Sequence, residues 1–320
     1  MPGPSREQVR QRAKALAQET LAVLHEGGYL NGAGEVVRVS DDVSAAVGAS
    51  EHFAAAHEFP AVPSAKGAFP KTVYALCTDS TFAAARGLAA REDLKNVAVL
   101  NFASGRNPGG GFLRGSIAQE ECLVRSSGLY PCLARFEYMP KLYYQTNRDL
   151  QGEERALNTS CAIYSPKVPV FRQDNLVGAF LDKPFACSVI TIPAPNANLA
   201  HDALRGDRAT WRRNAMEELF KTTLEDRIDR VLAIASEKAC DVLVLGAFGC
   251  GAYGNDPDLV AGIFRDKLTG KYATCFREVH FAILVLRGNP SADANFIAFQ
   301  TAFCDLLAVD PDADPPKVPA

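Results

Sequence analysis

Near the start of the chain, apolar and small residues recur with helical period: Val9, Ala13, Leu16, Ala17, Thr20, Leu21 and Leu24. The spacing predicts an amphipathic helix from Arg6 to about Glu26, stopped by Gly27-Gly28. A short extended run follows at 36–39. From residue 72 the rhythm changes, and short apolar runs alternate with longer helical stretches. Strands are predicted at 72–77, 97–102, 161–164, 186–192, 241–245 and 279–286, and helices at 82–91, 208–239, 257–268 and 291–308. Strands interleaved with helices imply a mixed or largely parallel sheet covered on both faces. The expected fold is α/β, a mixed sheet flanked by helices, with an N-terminal helical extension over 6–70. No composition shift or internal repeat interrupts 70–308, so one domain is expected over 6–309. Residues 1–5 and the proline-rich 310–320 are expected to be disordered tails, because they cannot bury enough apolar surface to offset ordering.

Composition narrows the class. Of 320 residues 48% are hydrophobic and 22% charged, which is ordinary for a globular protein. A net charge of -3 disfavours a nucleic-acid groove, which needs a basic excess to neutralise phosphates. The longest apolar stretch, 281–286, falls far short of the roughly 20 residues that span a bilayer. The basic, polar N-terminus lacks the apolar core of a secretory signal. Nine cysteines, an odd number without a Cys-x-x-Cys pair, read as reduced thiols. The chain is therefore expected inside the cell, in cytoplasm or nucleus. His25, His52, His57, His201 and His280 show no metal-ligand spacing, so no metal is expected.

Two glycine-rich loops each follow a strand and precede a helix, where ligands bind at the carboxyl edge of α/β sheets. One spans 245–257 and contains Gly249-Cys250-Gly251-Ala252-Tyr253-Gly254, a formal match to the dinucleotide pattern. No acid ends the next strand, as a nicotinamide site requires, and no Gly-Lys-Ser/Thr makes a Walker A loop. A diphosphate cradle remains, with Asp256 as N-cap and Pro257 as first helical residue aiming the helix at the loop. Cys250, with no histidine near in sequence, reads as a small packing residue.

The other loop runs from Asn101 to Glu121 through Asn107-Pro108-Gly109-Gly110-Gly111. Ser116 and Gln119 match a capping box, which would start a helix at about Ile117 and put Glu120 and Glu121 in its next turn. Acids there ordinarily compensate the helix dipole. Three successive glycines are costly in backbone entropy, however, and point to close ligand approach or loop movement. Adjacent helical residues project about 100° apart, so the two carboxylates cannot flank one bond as a glycosidase pair does.

Gly109-Gly110-Gly111, seven residues, then Gln119-Glu120-Glu121 resembles the signature of poly(ADP-ribose) glycohydrolases, in their smaller bacterial-type branch, also found in fungi. The runs 100–104, 126–130, 163–166, 194–196 and 246–251 extend the similarity over roughly 5–308. The resemblance implies a macrodomain-like catalytic fold, hydrolysis of ribose–ribose O-glycosidic bonds of poly(ADP-ribose), and release of ADP-ribose without a cofactor. It further implies reversal of ADP-ribosylation, including in the DNA damage response, by an expected monomer with ADP-ribosylated proteins as substrates and no sequence-specific nucleic-acid or membrane partner. By the same resemblance Glu121 is the acid that protonates the leaving oxygen and then activates water. Glu120 orients the ribose hydroxyls, and Gln119 positions the pair. Asn107, Gly109, Gly110 and Gly111 wrap the distal ribose. Gly249, Cys250, Gly251, Ala252 and Tyr253 form the diphosphate-binding loop, with Tyr253 flanking the distal ribose, and Phe248, Gly254, Asn255 and Asn196 are further substrate-binding residues. Asp79 contacts adenine or merely caps the helix beginning near Phe82.

Two positions depart from the family pattern: Tyr253, where Phe is commoner, and Ser80, where Thr is expected. A helix N-terminus lowers a carboxyl pKa, whereas a general acid must hold a proton near neutrality. Burial, the neighbouring carboxylate and a bound diphosphate would oppose the dipole at Glu121. Phe136, Tyr138, Tyr143 and Tyr144 could stack adenine or pack the core, and Trp211 beside Arg208, Arg212 and Arg213 could meet polymer phosphates or simply face solvent. Alternatives to the polymer hydrolase are a hydrolase of mono- or terminal ADP-ribosyl groups on proteins, a non-catalytic ADP-ribose-binding module, and a nicotinamide dehydrogenase.

Overall fold

A computed structural model describes residues 5–203, 210–285 and 290–307, and the side chains of 201–213 are not among those described. The chain opens with α1 (Arg6–Glu26), which buries Ala13, Leu16, Ala17, Thr20 and Val23 and ends on Gly27 in the left-handed region. Ser5 does not belong to a tail. Its side chain accepts from the Gln8 N–H and its own N–H donates to Gln8, a reciprocal cap that fixes the first turn. Residues 1–4 and 308–320 lie outside the described residues.

Strands β1 (Gly28–Leu30) and β2 (Val36–Arg38) form a small hairpin, followed by α2 (Ser40–Ala49) and β3 (Glu51–Phe53). Then come β4 (Val73–Cys77), α3 (Thr81–Ala89), β5 (Val97–Phe102), α4 (Gln119–Ser126), α5 (Leu129–Ala134), α6 (Tyr143–Asp149) and α7 (Glu154–Leu157). The second half holds β6 (Ala162–Arg172), β7 (Phe180–Ile192), α8 (Ala197–Ala203), α9 (Thr210–Glu237), β8 (Val242–Leu245), α10 (Pro257–Thr269), β9 (Glu278–Ala282) and α11 (Pro290–Phe303).

The main sheet has seven strands in the order β3-β6-β7-β5-β8-β9-β4, and β6 alone runs against the rest. The fold is thus a mixed sheet flanked by helices. Its central strands are apolar on both faces because both are covered. Ala98 and Leu100 of β5, with Leu243 and Leu245 of β8, enter one core cluster with Ile228, Phe264 and Phe299. Val97 and Val99, with Val242 and Val244, enter the other with Phe82, Leu123 and Leu133.

Three expected boundaries shift for identifiable reasons. The strand expected at 161–164 continues to Arg172: Pro166 falls in the register shift between Ser165 and Val168, which lets the ladder accommodate a residue without a donor, and Pro169 stays in register with Ala186. The strand expected at 279–286 ends at Ala282, where pairing with β4 and β8 stops. The capping box at Ser116 and Gln119 does not form. Ala118 is the N-cap, without a side-chain bond, and Gln119 is the first helical residue, its amide engaged elsewhere.

Helix α1 packs on the segment that leads into α4. Gly115 has φ +82, and a Cβ there would strike the Arg10 carbonyl and the Lys14 side chain. The Thr20 hydroxyl donates to the Arg125 carbonyl at the end of α4.

Candidate active site

Of the six co-directional strands, β7, β5, β8, β9 and β4 send the loops that follow them to one edge, where they enclose a cleft of about 350 Å³. It is lined from β4 by Asp79, Ser80 and Thr81, from β5 by Phe102 and Ser104, and from α4 by Gln119, Glu120 and Glu121. Ala194 follows β7, Gly249, Gly251, Ala252 and Tyr253 follow β8, and Ile283 and Leu284 follow β9. The short β9 thereby frees an apolar segment to form a wall.

Gln119 fixes the start of α4. Its Oε1 accepts from Phe102 N at 2.9 Å, and its Nε2 donates to the Leu100 carbonyl at 2.7 Å and to Thr81 Oγ1 at 3.1 Å. One amide therefore ties the helix to the end of β5 and the start of α3, which explains why it is absent from any cap. The next two residues are turned inward. Glu120 is 3% exposed, accepting from Ser104 N at 2.7 Å and from Asn101 Nδ2 at 3.4 Å. Glu121 is 8% exposed, and its Oε1 accepts from Gly111 N at 2.8 Å. Glu121 Oε2 is buried without a partner among the described residues.

The glycine run is shaped around these acids. Gly110 has φ +59, and a Cβ there would stand 2.5 Å from Glu121 Oε1 and 2.9 Å from Glu120 Oε2. One bare position thus touches both carboxylates, which sit on the same side of the cleft. Burial pushes the Glu120 carboxyl up to about 8, helped by the Glu121 charge and opposed by the Ser104 N–H. Desolvation outweighs the N–H donors that favour the charged form, so burial favours the protonated form of Glu120. Tyr253 faces both acids, and burial together with their charges pushes its phenol up to about 12.

The loop after β8 is cross-braced. Gly249, at φ +75, leaves no room for a Cβ beside Ala194 and Asn255. Asn255 Nδ2 donates to the Pro195 and Gly249 carbonyls at 2.8 and 3.1 Å, and the Gly254 N–H donates to Gly251. The N–H groups of Gly249, Gly251, Ala252 and Tyr253 have no acceptor among the described residues. Successive free N–H groups make an anion-binding concavity. Asp256 caps α10 by accepting from Asp258 N at 2.9 Å, with Pro257 as first helical residue.

Several expected site residues stand behind the cleft rather than in it. Phe248 is fully buried against the ring of Phe102, and Cys250 is buried with its thiol pushed up to about 12. Asn196 accepts from Leu199 N at the start of α8, and Gly254 meets Asn198. Asn107 is exposed at the loop's turn, where its carbonyl accepts from Gly110 N. Gly109 and Gly111 form the glutamates' backing with Gly110, and Gly109 packs on Phe112 and Val124. Asp79 lines the cleft and does not cap α3. That cap comes from Asp174, accepting from Phe82 N at 3.0 Å and Ser80 Oγ at 2.7 Å. Burial raises the Asp174 carboxyl above its ordinary range.

Of the aromatic candidates, Phe136, Tyr143 and Tyr144 are core residues, and Tyr138 is exposed outside the cleft. The side chains of Trp211, Arg208, Arg212 and Arg213 lie outside the described residues. Sequence reasoning missed Ser104, Phe102 and Asp174. The first two were discoverable as the end of a strand entering the glycine loop, whereas nothing local marks Asp174, which arrives from the β6–β7 turn. Among the described residues no group of three or more His, Cys, Asp or Glu side chains could hold a metal, and no helix is long and apolar enough to cross a membrane.

Comparison with known proteins matches residues 17–173 to a family model described as the catalytic domain of microbial-type PARG. A poly(ADP-ribose) glycohydrolase from Thermomonospora curvata, solved with the inhibitor ADP-HPD, is 35% identical with a TM-score of 0.77, covering 92% of this chain and 100% of that one. The Deinococcus radiodurans poly(ADP-ribose) glycohydrolase in complex with ADP-ribose is 36% identical with a TM-score of 0.68, covering 83% of this chain and 98% of that one. No curated protein matches.

Proposed function

The chain belongs to the microbial-type poly(ADP-ribose) glycohydrolases and cleaves poly(ADP-ribose) to ADP-ribose, and on that premise we propose that Glu121 is the general acid and base, with Glu120 as its proton-holding partner. The observation that carries this reading is the inequality of the two acids. Glu120 has both oxygens engaged and burial favours its protonated form, whereas Glu121 Oε2 is buried at the cleft with no partner among the described residues.

In this mechanism the loop N–H groups of Gly249, Gly251, Ala252 and Tyr253 take the diphosphate, which sets the distal ribose against α4. The proton held by the pair passes through Glu121 to the leaving ribose oxygen as the bond to the anomeric carbon breaks. The ribose cation that forms is stabilised by the diphosphate and the adjacent carboxylates. Glu121, now ionised, takes a proton from the water that attacks the anomeric carbon, and the pair regains its starting charge. Gln119 sets the direction of both acids through its grip on β5, Asp79 is left free to meet the adenine, and Tyr253 flanks the distal ribose as a neutral phenol.

Single-turnover release of ADP-ribose tests the assignment, with poly- and mono-ADP-ribosylated protein as parallel substrates. Glu121→Gln should lose on the order of 100- to 10,000-fold, the usual range for a general acid, and Glu120→Gln distinctly less. Equal, slight losses would refute it, and binding without turnover by wild type would reduce the protein to an ADP-ribose-binding module.

A further inference from the structure

The cleft has an unmet electrostatic requirement. Its described lining includes Asp79, Glu120, Glu121 and Asp174 and no lysine or arginine. A polymer with two negative charges per repeating unit therefore meets only backbone N–H groups inside, and the attraction that gathers it must come from the rim.

Beside the mouth lies a second groove, of about 500 Å³, lined by Arg6, Val9, Arg10, Arg114, Gly115, Ser116 and Ile117. Ile117, half exposed, lines both it and the cleft, so the two adjoin at this side chain. None of its three arginines has a carboxylate partner among the described residues. Arg10 Nε donates to the Arg114 carbonyl at 3.0 Å, which holds the Arg10 guanidinium against the backbone of this segment. Gly115, without room for a Cβ against α1, presses the helix onto the segment joining the glycine run to α4. The positive end of α1 adds to the same field.

We propose that this groove is a subsite for an adjoining unit of the polymer: guanidinium groups on its pyrophosphate and Ile117 against its purine. The identity of the polymer rests on the hydrolase reading, while the site itself rests on the groove's charge and on its place beside the cleft. The extension α1 is then part of substrate recognition, not only a support.

The test is the triple variant Arg6→Gln, Arg10→Gln, Arg114→Gln, with its melting temperature compared to wild type. Two substrates are assayed: long poly(ADP-ribose), and a single ADP-ribose carrying a neutral aryl leaving group on the distal ribose. On the polymer, kcat/KM should fall about tenfold near 0.15 M salt, and the log–log salt slope should become shallower by about 1.4, at roughly 0.7 for each of the two phosphates of one pyrophosphate. On the aryl substrate the rate should stay within about twofold, since no adjoining unit exists to bind. Equal losses on both substrates, or none on the polymer, would overturn the proposal. If wild type hydrolyses neither, the hydrolase reading fails, and fluorescence-polarisation binding of labelled polymer decides the groove. Weaker binding by the triple variant sustains it and unchanged binding rejects it. A drop as large for single-stranded RNA of equal charge would make this a general polyanion face and also reject it.

Discussion

Gly110→Ala isolates what the glycine run contributes. The added Cβ would stand 2.5 Å from Glu121 Oε1, where ordinary contact starts at 3.4 Å, so the carboxylate must retreat by about 0.9 Å. At a reacting group a misplacement of roughly 1 Å costs on the order of 100-fold in rate, and that is the expected loss in kcat for polymer hydrolysis. The left-handed backbone at φ +59 adds roughly 1–2 kcal/mol of instability for any residue with a Cβ. Gly34→Ala separates the two effects, because Gly34 has φ +79 and nothing within 4 Å of its built Cβ. It should melt lower by a similar backbone increment and keep full activity. The assay is ADP-ribose release under saturating polymer, alongside thermal unfolding of both variants. If Gly110→Ala keeps kcat within about threefold of wild type, or Gly34→Ala loses as much, the account of the glycines as backing for the carboxylates is wrong.

Two further outcomes follow from the same geometry. The Glu120 carboxyl is raised to about 8 by burial, so the folded chain keeps a proton that the unfolded chain releases near 4.5. That contribution is complete below about 4.5 and is lost as pH rises towards 8, at up to about 1.4 kcal/mol per pH unit. Urea unfolding midpoints of wild type should therefore fall between pH 5 and 8 relative to those of Glu120→Gln, and parallel profiles would contradict the burial argument. Asp174→Ala removes the acceptor for Phe82 N and Ser80 Oγ and should destabilise by about 1 kcal/mol while raising KM. Asp174→Asn, which keeps an acceptor, should recover most of both, and an unchanged melting temperature in the alanine variant would remove Asp174 from the capping role.

The order of strands and helices along the chain was legible from period alone, because β5 and β8 are buried on both faces and leave unbroken apolar runs bounded by glycine and polar turns. So were the two loops, whose glycines are written locally wherever a Cβ cannot fit, and the pair Glu120-Glu121 with them. The extent of β6 was hidden by Pro166 and Pro169, which local pattern reads as breaks, although the first falls in a register shift and the second pairs with Ala186. The apparent cap at Ser116 and Gln119 misled for a related reason: a side chain amide serves whichever backbone groups the tertiary fold brings near, and here these belong to β5. Nor could one dimension show that Gly110 faces the acids, that Asp174 caps a helix almost a hundred residues earlier, or that α1 sets arginines beside the cleft. Sequence determined which groups are present and the local shapes they can take. Which carboxylate is buried, neutral or free is a property of desolvation and approach distance, and those quantities exist only once distant segments are packed together.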